Sequence, residues 1–139
     1  GGVGSGRLLV GYGLDDLFLL ATGPELGAAS TFPRDGASGT RSVRAALTAA
    51  APLLLRYQHS AFIWDSEVAF TARAPEDDLE GWQSGVRVME GLGTSDLRIG
   101  NFMGYVVGTI GFDLLAGTRT HGPDEVLRIG TRLGVDWDF

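Results

Sequence analysis

The apolar residues of this chain recur at two different spacings, and the alternation between them sets the expected elements. Arg7 to Val10 and Leu17 to Ala21 are short apolar runs punctuated by Gly11, Gly13, Asp15 and Asp16, the pattern of a hairpin with an extended loop. From Thr40 or Ser42 the period lengthens. Val43, Leu47, Ala50 and Leu54 fall on one stripe, which predicts a helix to about Leu55 that Pro52 kinks or ends. Ser60 to Ala72 reads as a hairpin turning at Asp65-Ser66, with Ala61, Ile63, Val68 and Phe70 on one face and Phe62, Trp64 and Ala69 on the other.

A second helix is predicted from Pro75. Glu76, Asp77 and Asp78 complement its positive end, Leu79, Trp82, Val86 and Met89 form its stripe, and Gly91 stops it. Leu97 to Phe112 carries two readings. Val106, Val107, Thr109 and Ile110 favour strand, with a turn at Gly100-Asn101, whereas Gly100, Gly104, Gly108 and Gly111 would line one groove of a helix; the strand reading is preferred. A last helix is expected from Pro123 to Leu133 with Gly134 as its stop, followed by a short terminal strand in which Val135, Trp137 and Phe139 alternate with Asp136 and Asp138. The resulting order predicts an α+β fold, an antiparallel sheet built from hairpins with helices packed on one face.

The domain is expected to occupy residues 7–139, a length that fits one hydrophobic core. Residues 1–6, Gly-Gly-Val-Gly-Ser-Gly, read as a flexible leader or cloning scar. They are no dinucleotide fingerprint, because no strand precedes them and Arg7 stands where the third glycine belongs. Thr22 to Thr40 reads as a long loop with a turn at Phe32 to Gly36 and a short edge strand at Ala29 to Phe32.

Composition narrows the chemistry. All eleven basic residues are arginine and there is no cysteine, which excludes lysine Schiff bases, a P-loop lysine, thiol nucleophiles and disulfides. The absence of lysine and cysteine, with a single asparagine, suggests a bacterial source of high GC content. The net charge of −6 argues against nucleic acid and against an anionic membrane surface as partners. The longest uncharged run of the second half, Ile99 to Phe112, is too short for a helical span, so a cytoplasmic acidic protein is expected.

Two clusters are candidates for chemistry. Gly36, Ser38, Gly39, Thr40, Arg41 and Arg44 lie at the start of the first expected helix, where free N–H groups, hydroxyls and guanidiniums suit a small anionic ligand. Asp65 and Glu67 flank the expected hairpin turn with His59 a strand length away, and either carboxylate is a candidate general base. His121, beside Asp124 and Glu125, has no companion at metal-ligand spacing, so neither a metal nor a cofactor is expected. With no convergent catalytic set, the sequence points to a non-catalytic binding or interaction domain that forms a homo-oligomer through its aromatic C-terminal strand. The alternative is a small enzyme or ligand-binding protein acting on an anionic metabolite held at the N-terminus of the first helix.

Overall fold

The computed structural model describes residues 2–31, 44–75, 82–117 and 123–137. Among them every regular element is a strand: β1 (Gly2–Arg7), β2 (Val10–Gly13), β3 (Phe18–Thr22), β4 (Glu25–Thr31), β5 (Arg44–His59), β6 (Phe62–Pro75), β7 (Gln83–Ile99), β8 (Phe102–Leu115) and β9 (Asp124–Trp137). The α+β expectation is therefore corrected to an all-β, curled antiparallel half-barrel. No helix among the described residues is long and apolar enough to cross a membrane.

The sheet is an up-and-down meander in the order β1-β4-β5-β6-β7-β8-β9, with β2 and β3 continuing β1 and β4 respectively. β1 pairs with β4 and β2 with β3, so Gly2 to Gly13 forms one interrupted ribbon whose break is bridged by Leu8 N donating to Pro24 O at 3.1 Å. Gly2 to Gly6, within the expected leader, thus lie in register against Ser30 to Leu26. Part of the expected long loop is likewise β4, while its residues 32–39 lie outside the described residues.

Each misread helix has a physical cause. β5 pairs with β3 and β4 on one side and β6 on the other. Its middle, Leu47 to Leu55, is apolar or small on both faces, so the two-residue alternation is hidden and a helical stripe emerges by coincidence. Pro52 does not interrupt it, because it sits opposite the Gly23-Pro24 break where no neighbouring strand requires its missing N–H. Thr22 Oγ1 donates to the Pro52 carbonyl at 2.8 Å and seals that gap. Of the second expected helix, Pro75 ends β6 and Gln83 to Gly91 lie in β7, with 76–81 outside the described residues; the third is β9.

The hairpin expected at Asp65-Ser66 turns instead at Ser60-Ala61, with Ser60 at φ 54°. One strand, β6, runs straight through Asp65 and Glu67 and places both on the same face. The preferred strand reading of Leu97 to Phe112 holds: β7 and β8 meet at Gly100-Asn101, with Gly100 at φ 61°. Glycines on the concave side let β7 and β8 bend sharply. A Cβ at Gly93 would stand 2.0 Å from the Val106 carbonyl oxygen, and one at Gly111 2.1 Å from that of Val88.

The two ends of the meander differ. β2 to β3, β5 to β6 and β7 to β8 are joined by short turns at one end; at the other, β4, β6 and β8 finish and β5, β7 and β9 begin, separated along the sequence by residues 32–43, 76–82 and 116–123. The two faces differ more. The convex side carries Leu53, Phe70, Val88, Ile110, Ile129 and Leu133, all at least 47% exposed, whereas Arg56, Asp65, Glu67 and Asp113 on the concave side are at most 2% exposed.

Candidate functional site

The concave face is organised around Glu67. Strand alternation on β6 points Asp65 and Glu67 inward beside each other, and the curl brings arginines from distant strands onto them. Glu67 Oε1 accepts from Arg87 Nη2 at 2.7 Å, and Glu67 Oε2 accepts from both Arg7 Nη1 and Arg132 Nη2 at 2.7 Å. Arg87 also forks onto Glu25, at 2.9 and 2.7 Å. Asp65 accepts from Arg56 Nε at 2.7 Å and Nη2 at 3.0 Å, and from Arg132 Nη1 at 3.2 Å.

The network reaches both edges of the sheet. Arg56 Nη1 donates to Asp136 of β9 at 2.7 Å, and its guanidinium carbon lies 4.1 Å from the centre of the Tyr105 ring. Towards the long-loop end, Arg128 of β9 pairs with Asp113 of β8. Because charges removed from water are tolerated only when paired, these contacts hold the two sides of the trough together. Some buried atoms have no hydrogen-bond partner among the described residues, Arg7 Nη2 and Asp113 Oδ1 among them. Around the network lies a trough of about 1990 Å³, lined by residues of β1, β2 and β9 as well as the central strands.

The structure brings together only part of the sequence-derived candidates. Asp65 and Glu67 converge, and every oxygen of both carboxylates accepts a hydrogen bond from an arginine. His59 is exposed at the end of β5, beside the Ser60-Ala61 turn and away from them. Gly36, Ser38, Gly39, Thr40 and Arg41 lie outside the described residues, as does His121. Arg44 opens β5 opposite Thr31, so from Arg44 onward the expected helix is a strand. No group of metal-binding side chains occurs among the described residues.

The sequence reading missed Arg7, Glu25, Arg56, Arg87 and Arg132. A signal was present: Arg87 stands between Val86 and Val88, Asp113 between Phe112 and Leu114, and Arg128 between Leu127 and Ile129. A charge flanked on both sides by large apolar residues marks a strand with one polar and one apolar face, without saying which of them is enclosed.

The convex face has its own order. In the middle of its outward rows the one charged residue, among those described, is Glu90, which accepts from Trp64 Nε1 at 2.9 Å and Ser66 Oγ at 2.8 Å. Aromatic residues gather towards the short-turn end, where Phe18 packs on Tyr57 and Phe102 stacks on Trp137 at 5.6 Å. Against known proteins, no family model, curated protein or solved structure matches the chain.

Proposed function

We propose that this chain forms a membrane-spanning β-sheet wall, apolar towards lipid and ionic within. The observation that carries the reading is the inversion of burial. Ile129, Leu133 and Phe70 are 75%, 74% and 76% exposed, while Arg56 and Glu67 are 2% and 1% exposed. In water each such apolar residue forgoes about 25 cal/mol per Å² of burial, whereas acyl chains would cover it.

Strand length agrees with a membrane span. β6, β8 and β9 have 14 residues each. At about 3.3 Å per residue and a tilt of about 45° such a strand rises roughly 33 Å, more than the apolar band of about 25 Å typical of spanning barrels. The short turns at one end, longer connections at the other and the aromatic cluster near the turns fit the same arrangement. Within the wall, the bridge from Arg7 through Glu67 to Arg132 obstructs the trough, which favours an anchoring or scaffolding role over a wide pore.

The test is reconstitution into vesicles whose acyl chains carry bromine. Trp64 and Trp137 lie on the convex face at 41% and 53% exposure, so their emission should be quenched strongly. Unquenched emission from protein that stays monodisperse without lipid would refute the reading.

The non-catalytic interaction domain that self-associates is a second reading, favoured by β9 standing at an edge of the sheet. It requires a stable oligomer in lipid-free buffer, and its mass there separates the two readings.

A further inference from the structure

The meander has seven ribbons, with β1/β2 at one edge and β9 at the other. Successive ribbons are antiparallel, so the two edge ribbons run in the same direction. Among the described residues they do not pair with each other, yet Arg7 from one edge and Arg132 from the other each donate to Glu67 Oε2 at 2.7 Å. Two side chains that share one oxygen come from strands only arm lengths apart, so the seam between the edges is a few strand spacings of about 4.8 Å.

We infer that the seam receives one extended segment, antiparallel to both β9 and β1/β2, which closes an eight-ribbon barrel. This rests on the membrane reading proposed above. Backbone groups exposed at a sheet edge have no water to satisfy them in a bilayer, so both edges require a partner. Parity then selects it. An odd number of added strands keeps every neighbour antiparallel, and one strand reaches the smallest common closed size. Pairing β9 of one copy with β1/β2 of another would be parallel when both copies share an orientation. Pairing β9 with β9 would turn one copy upside down in the membrane. A second copy is thereby disfavoured as the occupant.

The chemistry of the segment follows from its neighbours. Outward positions face lipid beside Leu127, Ile129, Leu133 and Val135, and take apolar residues. Inward positions face the ionic trough that Arg7 and Arg132 enter from the two edges, and take polar residues such as serine.

The chain has no cysteine, so single cysteines can be labelled cleanly. Leu127→Cys and Val135→Cys place an acceptor dye near the long-loop and short-turn ends of β9 respectively, both at exposed positions. The probe is a synthetic twelve-residue peptide of alternating leucine and serine with a donor dye at its N-terminus, added to the full chain in phosphatidylcholine vesicles. A control peptide is N-methylated at alternate residues. Energy transfer should be saturable, several-fold stronger to Val135→Cys than to Leu127→Cys, and lost with the methylated control. Equal transfer to both sites, the reverse preference, no saturable binding, or a disulfide between two copies at Val135→Cys that blocks the peptide would overturn the inference. Bromolipid quenching is read on the same samples and the peptide titration is repeated in lipid-free buffer, so exclusion from the bilayer sinks the membrane reading while the seam is still measured.

Discussion

Arg7 and Arg132 stand on opposite edges of the sheet and donate to the same oxygen, Glu67 Oε2, each at 2.7 Å. That carboxylate is 1% exposed, with Arg87 on its other oxygen, so three guanidiniums surround one buried negative charge. The curl of the sheet and the ion network therefore depend on each other. The curl brings the edges within reach, and the charges are stable only while it does.

Removing the centre of that network should be costly. Glu67→Ala leaves Arg7 and Arg132 short of an acceptor in an enclosed space and is expected to destabilise by about 3–5 kcal/mol in denaturant titrations of the vesicle-bound protein. Glu67→Gln, which keeps the volume and one acceptor oxygen but turns the other into an NH2 donor facing a guanidinium, should lose less than Glu67→Ala but still lose stability. Equal stability of Glu67→Ala and the parent would show that the network holds nothing together.

A charge on the convex face separates lipid from water as its surroundings. Val88 is 47% exposed in the middle of the outward row of β7. Val88→Arg should cost about 2–4 kcal/mol in bilayers, against about 0–1 for Glu125→Arg near the strand end. In a water-facing sheet Val88→Arg would be neutral, and unfolding free energies in vesicles decide between the two.

Curvature should depend on the concave glycines. A Cβ at Gly111 would meet the Val88 carbonyl oxygen at 2.1 Å, backbone that cannot swing aside. Gly111→Val is expected to cost about 1–3 kcal/mol or more and to flatten the sheet, read as loss of the Arg7–Glu67–Arg132 bridge by exchange of the arginine side-chain protons. Gly100→Asn, at a turn with φ 61° and open space around it, should be tolerated.

The last residues of β9 join the network to the aromatic cluster. Deleting residues 135–139 removes Asp136 from Arg56 and Trp137 from its stack on Phe102. A loss of about 0.5–1.5 kcal/mol is expected from the stack alone, with no change of oligomeric mass. A fall in mass at unchanged stability would favour self-association through this strand.

The sequence by itself favoured the antiparallel hairpin at Gly100-Asn101 over a helix, because a glycine free to adopt positive φ ahead of the β-branched Val106, Val107, Thr109 and Ile110 is a local signal. It set Asp65 and Glu67 on either side of a turn, whereas both lie on one face of the single strand β6. Helix and strand were confused where both faces of a strand are apolar or small, as in β5, since periodicity cannot distinguish the two there. Pro52 compounded the confusion, because only the neighbouring break at Gly23-Pro24 makes a proline harmless in that strand. Which face is enclosed was a tertiary decision. Period-two patterning sorts residues into two sets, and it was the curl of the sheet that put Arg56, Asp65 and Glu67 inside and Phe70, Ile129 and Leu133 outside. The arginines that meet at Glu67 come from β1, β7 and β9, up to 65 residues away along the chain, and only the closing of the sheet gives them a common acceptor.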